Sequence, residues 1–177
     1  METHVFDSFV KNARNQFDEE EYEKIICKIR EKQPDKDCEF AKNYIFNGVR
    51  RNIYNGYATQ SVGKLKNILL FYIERFNGVF FTMMNKLLFY TDFYHYKMYG
   101  KGMSGLAYKA IAHGPVPVRW DRIYSFYNDI CQDIVHFGSG VDGTKLISNL
   151  SPDMGEFSEK EVLVMENVYQ RFTSNNS

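Results

Sequence analysis

The chain has 177 residues, enough for one domain or one domain with a helical extension but short for two independent cores. Hydrophobic residues at 44% and charged residues at 25% exclude a disordered or low-complexity chain, and 16% aromatics point to a core rich in rings. Lys+Arg 22 against Asp+Glu 22 gives a net charge of +0, which excludes binding to nucleic acid or an anionic membrane through bulk positive charge.

In chain order, Phe6, Phe9, Val10, Ala13 and Phe17 recur at helical spacing. Asp18 with Glu21 forms a capping box for a second helix carrying Tyr22, Ile25, Ile26 and Ile29, which stops before Pro34. A shorter helix around Phe40 to Ile45 gives way to a loop with Asn47-Gly48 and Asn55-Gly56. Ser61 caps the clearest helix, with Leu65, Ile68, Leu69, Tyr72, Ile73 and Phe76 on one stripe and a stop at Asn77-Gly78. Val79 to Tyr99 reads as one long helix that is apolar nearly all round, and therefore as the most buried helix of the fold. A glycine-rich bend follows Gly100. The prolines of His113-Gly-Pro-Val-Pro117 suit a turn and the first turn of a helix bearing Trp120, Ile123, Tyr124 and Tyr127. Two β-branched runs, Asp133 to Phe137 and Thr144 to Ser148, read as a hairpin. Ser158 and Glu161 form another capping box, opening a last helix with Val162, Met165, Tyr169 and Phe172 inward.

Cys27, Cys38 and Cys131 form no Cys-x-x-Cys pair and no zinc-finger spacing, and an odd number closes no disulfide framework. Met-Glu-Thr-His is not a basic signal-peptide start, and the longest apolar run, Ile68 to Ile73, is far short of the ~20 residues of a membrane span. A reducing cytoplasm is the expected location, without a membrane partner. Charge is segregated: residues 1–41 carry −4, residues 42–122 carry +9 and residues 123–177 carry −5. Acidic ends that fold back on the basic middle account for this most simply; the alternative is a basic face that meets an acidic partner, protein or nucleic acid.

Catalytic patterns fail one by one. Gly100-x-Gly102-x-x-Gly105 matches a dinucleotide fingerprint in letters, but a helix precedes it where a strand is required. Gly63-Lys64 lacks the upstream glycine and the following Ser/Thr of a phosphate loop. Asp92 and His95 sit at i, i+3 on a helix, but no third ligand completes a metal site. With no nucleophile elbow either, the chain is expected not to be an enzyme and to use no cofactor or metal.

What remains is an ordered constellation: Asn85-Lys-Leu-Leu-Phe-Tyr-Thr-Asp92, then Tyr99-Gly, Ser104-Gly-Leu-Ala-Tyr108 and His113-Gly-Pro-Val-Pro117. It resembles the Panacea antitoxin domain, also called the SocA-like or phage-associated GepA-like family, over roughly residues 60–172. The resemblance implies a mainly α, α+β fold: a compact helical domain at 60–177 with a small β-hairpin, preceded by a helical extension at 1–59. It implies an antitoxin of a bacterial or prophage toxin-antitoxin system that binds and neutralises a cognate protein toxin. It also implies a possible second partner, since at least one member acts as an adaptor delivering its toxin to a protease. A winged-helix-like transcriptional regulator with residues 133–148 as its wing is the alternative. Nucleic acid is otherwise not expected as a partner, and an oligomer is compatible with the sequence.

The family-motif residues are Lys86, Tyr90, Asp92, Gly105, Tyr108, Gly114, Pro115, Val116 and Pro117, expected to serve architecture more than toxin contact. Asp92 and Lys86, on a helix read as buried, need partners, and the Gly-Pro-Val-Pro segment is the expected supplier, close to Tyr90 or Tyr96. Loss of a buried, paired Asp92 carboxylate is expected to cost about 1–3 kcal/mol. Partner specificity is then expected on exposed loops and the N-terminal helices.

Overall fold

The computed structural model describes residues 39–46, 50–138 and 140–174. The expected helices between residues 6 and 33, with Cys27 and Cys38, lie outside the described residues, as does their role in recognition. The described chain is mainly helical with two small antiparallel sheets. Helix α1 (Glu39–Phe46) is followed by a 3₁₀ turn (Ile53–Asn55), helix α2 (Val62–Phe76), strand β1 (Val79–Phe80) and helix α3 (Phe81–Tyr99). Strands β2 (Tyr108–Ile111) and β3 (Gly114–Pro117) then lead to helix α4 (Trp120–Phe126). Strands β4 (Cys131–Phe137) and β5 (Val141–Ile147), a 3₁₀ turn (Met154–Glu156) and helix α5 (Glu159–Ser174) complete the order.

Helix α2 is the axis of the core. Ser61 Oγ accepts from the Lys64 N–H at 3.2 Å, and Asn77 closes the helix in the left-handed conformation, φ 51°. Its stripe of Leu65, Ile68, Leu69 and Tyr72 is fully buried. Burial of each such side chain contributes about 1.5–3 kcal/mol. Tyr72 donates to Thr91 Oγ1 at 2.6 Å, since the Thr91 hydroxyl already donates to the Leu87 carbonyl at 2.7 Å. Ala41, Ile45 and Phe46 of α1 belong to the same core, as do Met165 and Val168 of α5.

Two expectations for the segment 79–99 are corrected. Val79 and Phe80 are a strand, paired with β5 in the register Val79↔Leu146 and Phe80↔Lys145, and the helix begins only at Phe81. Nor is α3 the most buried helix. Tyr90, Phe93, Tyr96 and Met98 stand exposed, while α2 buries the longer run. A helix that is apolar all round satisfies burial on every face only if neighbours cover every face, and here they cover one.

The Gly-Pro-Val-Pro segment is likewise neither a turn nor a helix start. It is β3, antiparallel to β2, with Tyr108↔Pro117, Lys109↔Val116 and Ile111↔Gly114 in register. Helix α4 starts three residues later at Trp120. Proline is tolerated here because a two-stranded ribbon leaves an outer edge on which no N–H is required. The second hairpin matches its expectation, with longer strands: β4 and β5 pair from Cys131↔Ile147 to Phe137↔Val141, in the sheet order β1-β5-β4.

The segregated charge is partly neutralised within the fold. Lys64 pairs with Glu161 and Lys66 with Asp129, each at 2.6 Å, and Arg75 pairs with Glu166. Each pair joins the basic middle to the acidic C-terminal third. Glu161 also accepts from the Ser158 N–H at 2.9 Å, the backward half of the capping box at the start of α5.

Candidate functional site

Most of the family-motif residues fall into two groups, and the first is a carboxylate cradle. Asp92, on the inner face of α3, accepts four hydrogen bonds. The N–H groups of Met103 and Ser104 donate to Oδ1 at 2.6 Å each, the Tyr108 hydroxyl donates to Oδ2 at 2.5 Å, and the Ser104 hydroxyl donates to Oδ2. The bend after α3 is therefore folded around one side chain. Gly100 ends the helix at φ 72°, with its N–H on the Tyr96 carbonyl at 2.8 Å, and the chain doubles back so that successive amides face the carboxylate. His95 is buried beside it, with Nδ1 2.7 Å from the Lys101 carbonyl oxygen.

Glycine is required in this bend for close approach. A Cβ on Gly102 would lie 2.9 Å from the Asn55 carbonyl oxygen and 3.4 Å from Asp92 Oδ1. Gly105, at φ +82°, lies against the backbone of Thr59 and Gln60. The Gly102 N–H donates to the Gly56 carbonyl at 2.7 Å, tying the bend to the 3₁₀ turn before α2. Asp92 thus locks α3, the bend and the 50–60 loop into one unit.

Burial raises the Asp92 carboxyl above its ordinary value, opposed by the bonds from Ser104, Tyr108 and the backbone. The Tyr108 hydroxyl is pushed up by burial and by the neighbouring Asp92. Both oxygens of the carboxylate face donors inside the fold, and Gly100, Gly102 and Gly105 lie in the bend that carries the amide donors.

The expected partners of Asp92 and Lys86 are corrected. Asp92 draws its donors from Met103, Ser104 and Tyr108 rather than from Gly114 to Pro117, and Lys86 is exposed rather than buried. Tyr90 is 38% exposed. Of the β3 residues, Val116 and Pro117 are buried and Gly114 and Pro115 half-buried. Ser104 completes the cradle although sequence reasoning did not single it out as a site residue.

The second group opens to solvent. Lys86, Tyr90, Gly114 and Pro115 line a groove of about 1030 Å³ between α3, the β2–β3 turn and α5. Tyr90 stacks against Tyr94 at 6.1 Å between ring centroids and meets Phe172 edge-on at 5.7 Å. The Arg171 guanidinium lies over Tyr94 at 4.9 Å, and Nη1 donates to the Tyr94 hydroxyl at 2.8 Å. A separate apolar patch lies on the other side of the bend, where Ile53 and Tyr54 are 68% and 77% exposed near Phe93 and Tyr96.

No helix among the described residues is long and apolar enough to cross a membrane. Residues 84–177, more than half of the chain, match the family described as antitoxin SocA-like, Panacea domain. No curated protein and no solved structure matches the chain. The matched segment holds the cradle, β2, β3 and every residue of the groove from Lys86 onward, so the geometry and the match coincide. The chain belongs to the SocA-like antitoxin family, of which it carries the Panacea domain.

Proposed function

We propose that this chain is an antitoxin that neutralises a cognate protein toxin by direct protein–protein binding, with no turnover chemistry of its own. Membership of the SocA-like antitoxin family carries the proposal. The site geometry supports it: the Asp92 carboxylate is buried and occupied by donors of its own fold, whereas exposed aromatic and cationic side chains are presented on preformed surfaces. Such side chains supply most of the energy at protein interfaces.

The wing alternative draws less support. The β4–β5 hairpin carries Asp133 and Asp142 against Lys145, and His136 is already joined to Asp142 at 2.7 Å. A wing that reads DNA needs unpaired positive charge at the phosphates. Co-expression with the product of the adjacent gene tests the proposal. Growth arrest by that product alone and rescue by this chain is the expected result; arrest unrelieved by the chain at equal expression would overturn it.

A further inference from the structure

We propose that the groove between α3, α5 and the β2–β3 turn seats an acidic segment of the partner protein, one in which Asp or Glu flanks an apolar side chain. This deepens the antitoxin reading and rests on it.

The lining is one-sided in charge. Lys86 and Arg171 supply two cationic side chains, His113 adds an imidazole, and no Asp or Glu among the described residues lines the groove. In a chain with as many acids as bases, this is a local surplus, and it persists after Lys64, Lys66 and Arg75 have been matched to acidic residues of the fold. Its sign selects carboxylates.

The floor selects an apolar group between them. Tyr90, Tyr94 and Phe172 hold one another in ring contacts, and Arg171 is held on Tyr94 by stacking and one hydrogen bond. A guanidinium has five N–H donors, so a fixed Arg171 presents its fork to a carboxylate with little ordering left to do. The volume, about 1030 Å³, is at the upper end of small-molecule pockets and suits a few residues of peptide. Gly114, which lines the groove at φ +116°, has no atom within 4 Å of its Cβ position, so the space beside it is open.

A nucleic acid fits less well. Affinity for nucleic acid is built by neutralising many phosphates along a track, and the groove offers two cationic side chains between aromatic walls. The groove also accounts for Lys86, Tyr90, Gly114 and Pro115, four of the motif residues outside the Asp92 cradle.

The test titrates the purified full-length chain with the purified product of the adjacent gene, measuring Kd for the wild type, K86E/R171E, K86Q/R171Q and K97E. Lys97 is an exposed cation on the same helix outside the groove. Circular dichroism melts establish that each variant folds. The expected result is a loss of affinity of about 100-fold or more for K86E/R171E, a smaller loss for K86Q/R171Q, and a change within about twofold for K97E. Equal affinity of all four would overturn the groove while leaving the antitoxin reading intact, and would move attention to the patch around Ile53 and Tyr54. Failure of the wild type to bind would overturn both. Two competitors decide the occupant: a synthetic peptide of residues 1–33 and a 20-nucleotide single strand. Displacement of the gene product by either, lost in K86E/R171E, would assign the groove to the chain's own acidic N-terminal segment or to nucleic acid and refute the proposal.

Discussion

Replacing Asp92 with Ala removes the acceptor for four donors at once. The two backbone N–H groups of Met103 and Ser104 cannot turn away, because the bend that carries them is fixed by Gly102 on Gly56 and by Gly105 against Gln60. Each buried donor left without a partner costs about 1–3 kcal/mol. The hydroxyls of Ser104 and Tyr108 rotate, so their loss is smaller, and removing a buried carboxylate recovers part of its desolvation cost. The net expectation is a destabilisation of about 3 kcal/mol, at the top of the range expected from sequence, because donors from two consecutive amides converge on one oxygen. For a domain of this size that lowers Tm by roughly 10 °C. Thermal unfolding of the full chain followed by circular dichroism measures it. Tyr108→Phe, which removes one of the four bonds, should cost about 1 kcal/mol. An Asp92→Ala protein melting within about 2 °C of wild type would refute the cradle.

Asp92 also sets a pH dependence. Burial raises its pKa above the ordinary 3.8, so the folded chain holds the proton more tightly than the unfolded one, and stability falls as pH rises from that value through the folded one. Asp92→Asn should flatten urea-unfolding stability across that window; an unchanged slope would contradict the assignment. Glu161 has the opposite sign. Burial alone would raise its pKa, but the hydrogen bonds from Lys64 and Ser158 outweigh burial and hold it below 4.5, so its contribution is present above that value and is lost as pH falls through the folded one. Glu161→Gln should remove this acid-side loss in the same titration. Gly102→Ala should cost about 1–3 kcal/mol in denaturant unfolding, since its Cβ meets a backbone carbonyl oxygen at 2.9 Å rather than a movable side chain.

Local signals located most of the elements. Ser61 and Asn77-Gly78 bracket α2 in the sequence as they do in the fold, and the Ser158–Glu161 box opens α5. The misreadings arise where tertiary pairing decides. Val79 and Phe80 continue a helical apolar pattern, yet they complete a sheet whose other strands lie more than fifty residues away, and nothing local encodes that pairing. Gly-Pro-Val-Pro resembles turn chemistry until Tyr108 to Ile111 is placed beside it. Asp92 was legible as a polar residue in an apolar helix that needs partners, but two of its four donors are backbone amides, which leave no mark in a sequence. The groove was legible only in part, as scattered motif letters, because Lys86 and Arg171 are 85 residues apart and line it from two different helices.

The central claim is that this member of the SocA-like antitoxin family acts by binding rather than by catalysis. Isothermal titration calorimetry of the full-length chain against the purified product of the adjacent gene tests it most directly, with mass spectrometry of both proteins before and after mixing. The account predicts saturable binding at fixed stoichiometry, loss of the toxic activity in the complex, and unchanged masses for both chains. Inactivation accompanied by a covalent change in the toxin, or a titration with no saturable heat, would contradict it.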